Sequence, residues 1–192
     1  MGRVIENIGF FGRPVLPELV EDLLHSQLVH GMDLQEPLLG STETLVKVVA
    51  EARRDSTALA LPFETVAQTI EELFAYDGSY WNSHLVIRVK YLVGLACPWG
   101  DFATTSPLCP FDLQVREILL VNRERIFDFS PLHERYSTVD ALRGALPDLV
   151  RRDEVMVFSE LHPHLLRAHH FPEGRSTPYR TDFVRAKRYL GL

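Results

Sequence analysis

The spacing of apolar residues changes near residue 80, and this change restricts the chain to folds that combine helices with a sheet. Before it, apolar residues recur every three or four positions, a spacing that is typical of amphipathic helices. The N-terminal half is therefore predicted to be helical, with about three amphipathic helices. One runs from Pro17 to near Gly31, a second is capped by Ser41 or Thr42, and a third opens at Pro62.

Just after residue 80, the stretch 84–95 is rich in valine and isoleucine, which favour strands. We predict strands over residues 84–95, 113–121, 125–129 and 154–160, although the length of the first also permits a helix. Residues 113–121 and 125–129 are predicted to form a hairpin. Helices capped by Thr138 and Thr181 complete the order. The expected fold is α+β, in which the helical half packs with a small mixed or antiparallel sheet and a C-terminal helix.

The length of 192 residues suits a single domain, which buries roughly 70% of the surface of the unfolded chain. The natural boundary lies at residues 78–83. It could separate a helical subdomain, 1–80, from an α+β subdomain, 81–192.

Charge and hydropathy narrow the classes of function. The net charge is −6, which opposes the basic footprint of a nucleic-acid binder. The first fifteen residues lack the apolar core of a secretory signal, and no apolar stretch is long enough to span a bilayer. We therefore expect a cytoplasmic protein with Cys97 and Cys109 as free thiols, although their spacing also permits a bridge.

A cluster of histidines follows the predicted strand 154–160 and is the first candidate site. Imidazole suits divalent transition metals such as zinc, iron, copper and nickel. A metal held here would lower the pKa of its bound water to about 7 and supply hydroxide for hydrolysis. The alternative is that Pro163 starts a helix, which would make His162 a cap and turn His164 elsewhere. The predicted ligands are Glu160, His162, His164, His169 and His170, with Glu173 as a further donor.

Three residues are predicted to bind an anionic ligand: Arg116, His133 and Arg167. Arg116 and Glu117 are neighbours on a strand, so their side chains point to opposite faces. An inward Arg116 would need a carboxylate from the protein or from a ligand. The alternative is an ordinary cross-strand salt bridge on an open face.

The basic segment 171–189 interleaves arginines with aromatic residues, a pattern that can bind a nucleic-acid strand. The same cations also suit the C-terminal end of a helix dipole. Because the whole chain is acidic, we regard packing of a terminal helix as the better explanation.

No nucleotide-binding loop, dinucleotide fingerprint or serine-hydrolase elbow occurs, and no catalytic residue can be named. The leading prediction is an accessory, regulatory or ligand-sensing domain that binds a small molecule or another protein, with a homodimer as one form of partner. The alternative is a small metal-dependent hydrolase that acts on an anionic substrate through His162 and His164.

Overall fold

The computed structural model describes residues 38–92, 114–125, 135–136 and 138–192. Over these ranges the chain forms five helices and one four-stranded antiparallel sheet, so the predicted α+β class is confirmed. The predicted helix from Pro17 lies outside the described residues, as do the loop that contains both cysteines, the segment 126–129 and His133.

Helix α1 spans Leu45–Ala58 and begins two or three residues later than the predicted caps imply. Thr44, rather than Ser41 or Thr42, is the cap, because its hydroxyl accepts a hydrogen bond from the N–H of Lys47. Its buried residues recur at the spacing expected of an amphipathic helix: Leu45, Val48, Val49 and Ala52.

Helix α2 spans Phe63–Ala75 and follows Pro62, as the sequence predicts. Its apolar residues recur at helical spacing and pack into the core on one face of the sheet. The buried set is Phe63, Val66, Ala67, Thr69, Ile70 and Leu73.

The four strands are β1 (Tyr80–Trp81), β2 (His84–Leu92), β3 (Gln114–Val121) and β4 (Val155–Ser159), in that order across the sheet. A two-residue turn, Asn82-Ser83, joins β1 to β2. Both turn residues have a positive φ, 44° and 69°, which is the geometry that matches the twist of a hairpin.

The predicted hairpin between 113–121 and 125–129 is not formed along β3, because both edges of that strand are taken. Strand β2 pairs with it from Gln114 to Val121, and β4 pairs with it from Glu117 to Val121. The sequence places the turn at Asn122 correctly, but the partner strand comes from later in the chain.

Three helices belong to the C-terminal half: α3 (Val139–Arg151), α4 (His162–His169) and α5 (Phe183–Leu190). Thr138 caps α3 as predicted, by accepting from the N–H of Ala141 at 3.1 Å. The cap of α5 is Asp182 rather than Thr181, and Thr181 is buried instead.

Alternating residues of the strands build two cores, one on each face of the sheet. On one face Ile118, Leu120 and Phe158 pack with α2, α4 and α5. On the other, Leu119, Val157 and their neighbours pack with α3. The first core joins residues from both sides of position 80. None of the described helices combines the length and apolarity that a bilayer span requires.

Candidate functional site

Helix α4 carries all four clustered histidines, and its geometry separates them. Pro163 occupies the first turn, where its missing N–H costs nothing. Successive helical residues rotate by about 100°, so side chains two positions apart point to nearly opposite sides. His162 is therefore turned into the protein, while His164 lies half-buried at its surface.

His162 is fully buried and hydrogen-bonded through both ring nitrogens. Its Nδ1 accepts the N–H of Ser159 at 2.8 Å, which assigns the proton to Nε2. Nε2 lies 2.6 Å from the carbonyl oxygen of Tyr179 and 3.4 Å from Oε1 of Glu173. Burial lowers the pKa of His162, against the smaller raising effect of the bonds to Tyr179 and Ser159. This neutral imidazole ties the end of β4 to the segment 173–182.

Ser159, His162 and Glu173 together have the composition of a nucleophile, a base and an orienting carboxylate. The Ser159 hydroxyl lies 2.9 Å from His162 Nδ1. However, the lone pair of Nδ1 already accepts the backbone N–H of Ser159, and the ring has no exposed surface. A general base needs a lone pair directed at the hydroxyl whose proton it removes, so this geometry describes a structural connection.

His164 and His169 form a pair at the surface of α4. Their Nε2 atoms are 3.2 Å apart, and the two rings meet edge to face with centroids 5.0 Å apart. Burial, His169 and Arg167, in that order, lower the pKa of His164.

His170 ends α4 in the left-handed conformation, with φ of 51°, and points to a third location. Its ring stacks on Phe63 at 4.4 Å, and its Nδ1 accepts from Arg53 Nε at 3.3 Å. Glu160, the remaining predicted ligand, binds Arg116. Among the described residues, no three His, Cys, Asp or Glu side chains are arranged to hold one metal ion.

The two predicted anion-binding arginines within the described ranges are both paired with carboxylates of the protein. Arg116 lies opposite Glu160 across β3 and β4 and donates to it, which is the alternative of a cross-strand salt bridge. Its neighbour Glu117 is the inward residue, with 1% of its surface exposed. Arg116 therefore has the cross-strand arrangement, and of the two neighbours it is the outward one.

Arg167 is paired even more completely. It donates to Glu64 from Nε at 2.9 Å and to both carboxylate oxygens of Glu71 at 2.7 and 3.0 Å. These hydrogen bonds, first to Glu71 and then to Glu64, raise its pKa. Its charge is neutralised within the protein.

A cleft of about 530 Å³ lies between α3, the start of α5 and the segment 175–182. Its lining is rich in guanidinium groups, which the sequence showed only as a basic C-terminal segment. Its charged residues are Arg151, Arg175, Arg180, Arg185, Asp55 and Asp182.

Arg180 differs from the other arginines of the cleft. It is half-buried, its Nη1 donates to the carbonyl oxygen of Glu173 at 3.0 Å, and it forms no ion pair with a described carboxylate. Burial lowers its pKa and Arg175 lowers it further, outweighing the opposite effects of Asp182, Glu43 and Glu51. The guanidinium stays charged, so this is a cation without a full counter-charge.

The other three arginines each have one carboxylate partner. Arg175 binds Glu51 at 3.1 Å, and Arg185 binds Asp153 at 3.0 Å. Arg151 binds Asp148 at 2.7 Å. A guanidinium has five N–H donors, so a single carboxylate leaves donors for a further ligand.

The segment that presents Arg180 is held by polar contacts, which are exposed or half-buried at Glu43 and buried at His162. Glu43 accepts from the N–H of Arg175 at 2.7 Å, from the Ser176 hydroxyl at 3.0 Å and from the N–H of Gly40 at 2.9 Å. Burial alone would raise the pKa of Glu43, but these hydrogen bonds outweigh it and the pKa is lowered. His162 holds the next part of the segment through Tyr179.

Comparison of the chain with known protein families, with curated proteins and with solved structures finds no match.

Proposed function

We propose that the protein is a cytoplasmic accessory or ligand-sensing domain that binds a small organic anion in the cleft around Arg180. The carrying observation is a half-buried guanidinium that lines a cleft and has no carboxylate partner among the described residues. This proposal keeps the leading prediction from the sequence and moves its anion site from Arg116 and Arg167 to Arg180.

Removing a cation from water is unfavourable unless an opposite charge or hydrogen-bond acceptors replace the water. Arg180 has one protein acceptor, the Glu173 carbonyl oxygen. An anionic oxygen would supply the missing counter-charge and form charge-assisted, two-pronged hydrogen bonds with the guanidinium. The same burial is the largest cause of the lowered pKa of Arg180.

The lining also indicates the size and chemistry of the ligand. A volume of about 530 Å³ lies in the range of pockets for small metabolites. Ser176 and Thr177 add polar groups, while Pro147, Val150 and Pro178 add apolar surface. A phosphate or carboxylate on a compact organic body matches this combination.

The test is calorimetric titration at constant ionic strength with orthophosphate, pyrophosphate, succinate and citrate, each against a chloride control. At least one of the four should bind with one-to-one stoichiometry. Arg180→Met should weaken that binding at least about tenfold, and Arg180→Lys should weaken it less, because lysine keeps the charge but loses the planar fork.

The matched control is Arg167→Met. It removes a cationic side chain of the same length, but one that is fully paired with carboxylates of the protein. It should bind the anion as the unmodified protein does. Equal binding by the Arg180→Met variant, or no binding of any of the four anions, would refute the proposal.

The alternative of a metal-dependent hydrolase requires His162 and His164 to ligate one ion. His162 uses both nitrogens within the protein and is turned away from His164. No observation on the described residues favours that alternative over anion binding, and it stays a prediction from the sequence.

A further inference from the structure

His164 and His169 bring their Nε2 atoms close together at the surface of α4. The two residues are five positions apart on α4, and their Nε2 atoms lie 3.2 Å from each other. Both side chains are half-buried, so solvent reaches the pair from one side. Neither imidazole belongs to the cleft around Arg180.

The distance between the two nitrogens matches that of two ligands on one metal ion. Zinc–nitrogen bonds of about 2.0–2.1 Å at a roughly tetrahedral angle separate two imidazole nitrogens by about 3.3 Å. The present separation of 3.2 Å therefore needs almost no adjustment. The two rings are inclined to each other by 76°, and their centroids lie 5.0 Å apart.

The surrounding charges permit a cation. Arg167 is a cation that lowers the pKa of His164, and it is bound by both Glu64 and Glu71. These three side chains together carry a net charge of −1. A divalent ion next to the pair would not face an uncompensated positive charge.

We propose that His164 and His169 form a two-histidine site for a divalent transition metal ion such as copper, nickel or zinc. Before the ion binds, one ring carries its proton on Nε2 and donates it to the other ring. Binding requires the donor ring to take the tautomer protonated on Nδ1, so that both neutral rings offer an Nε2 lone pair to the ion and water fills the other coordination positions. Neutral imidazole is a preferred ligand of these ions, and copper binds nitrogen ligands most strongly among them. The site differs from the predicted five-residue set, since His162, His170 and Glu160 have no part in it.

The experiment is titration of the full chain with Cu²⁺ alone at neutral pH, followed by electron paramagnetic resonance of the first equivalent. Hyperfine splitting from two nitrogens is expected. His164→Gln and His169→Gln should each weaken binding at least about tenfold, since even the loss of an indirect supporting contact to a metal ligand costs 10–100-fold. The variant that carries both glutamine substitutions measures how much Cu²⁺ binds elsewhere on the chain.

His170→Asn is the matched control, because it removes a third imidazole of the same helix end and asparagine tolerates a positive φ. It should bind Cu²⁺ as the unmodified chain does. If a glutamine variant unfolds, nitrogen NMR of the labelled histidines in the unmodified protein decides, since Zn²⁺ should shift two Nε2 resonances together. Copper binding that is equal in the double variant and the unmodified chain, or no two-histidine shift, would overturn the proposal.

Discussion

Arg167 and Arg180 are chemically identical side chains in opposite electrostatic situations. Arg167, on α4, is held by Glu64 and Glu71, and its pKa is raised. Arg180, in the segment before α5, has a carbonyl oxygen and no described carboxylate partner, and its pKa is lowered. The first arginine connects α4 to α2, whereas the second retains capacity for an external anion. Binding capacity depends on where counter-charge is missing, not on where basic residues are most frequent.

The region of Arg167 and the region of Arg180 are connected through His162. His162 begins α4, the helix of Arg167, and its Nε2 holds the carbonyl oxygen of Tyr179, the residue before Arg180. Changes at His162 therefore affect the cleft, while changes at Arg167 should leave the cleft intact.

The largest expected effect is that of His162→Ala. The substitution leaves a cavity and two buried polar groups, the Ser159 N–H and the Tyr179 carbonyl, without their partner. We expect the free energy of unfolding in urea to fall by about 3 kcal/mol. Anion binding should weaken as well. His164→Ala, at a half-buried position, should lower the free energy of unfolding by less than about 1 kcal/mol. Equal losses of stability in the two variants would contradict the role assigned to His162.

The pH dependence of stability should reflect the same residue. An unfolded histidine takes up a proton near pH 6.5, whereas burial lowers the pKa of His162 in the folded protein. Below about pH 6.5 only the unfolded state gains this proton. The free energy of unfolding should then fall by up to about 1.4 kcal/mol per pH unit from His162 alone, until the folded pKa is reached.

His84, His164 and His170 have lowered pKa values too and act in the same direction. Urea unfolding of the unmodified chain and of His162→Gln at pH 7.5 and pH 5.5 separates the contributions. The variant should lose less stability on acidification, and an unchanged pH slope would show that His162 titrates normally in the fold.

Replacing each of the two arginines with methionine tests whether they differ in charge compensation. Arg167→Met should lower the free energy of unfolding by about 1 kcal/mol, a value discounted because Arg167 and its partners are partly exposed. Arg180→Met should change it by less than about 0.5 kcal/mol or increase it, since an uncompensated charge is removed. Thermal unfolding with and without the best-binding anion should show anion stabilisation of Arg167→Met but not of Arg180→Met. Anion stabilisation of Arg180→Met but not of Arg167→Met would contradict the assignment of the anion site to Arg180.

The smallest expected effect concerns Glu43, which holds Arg175 and Ser176 at the cleft. Its lowered pKa means that its contribution is present above about pH 4.5 and disappears as pH falls through the folded pKa. Glu43→Gln should lower stability by about 0.5 kcal/mol at pH 7, and the difference from the unmodified chain should vanish near pH 3. The exposed Glu72→Gln is the control and should show neither effect.

Local pattern predicted the elements well where a single helix or strand carries the information. The faces of α1 and α2 follow from apolar spacing, and the Thr138 cap follows from a polar residue before an amphipathic run. The end of α5 at Gly191, with φ of 77°, follows from the conformational freedom of glycine. Hydrogen bonds of this kind close within a few residues, so the neighbouring sequence contains both partners.

The candidate sites depended on partners far along the chain. The sequence could place Arg116 and Glu117 on opposite faces of a strand, but only the position of β4 and α3 decided that Glu117 is the buried one. The histidine cluster indicated polar chemistry after β4, yet the turn of α4 divided it among a buried connector, a surface pair and a stacked ring.

By itself the sequence determined the class of fold, most helix faces and the concentration of arginines in the last twenty residues. The tertiary structure alone decided which of those arginines lacks a counter-charge. The reason is physical: periodicity and capping are short-range properties of the chain, whereas burial and charge compensation are sums over every group that folding brings nearby. Arg167 meets glutamates from α2, and Arg180 meets the carbonyl of Glu173 and an open cleft.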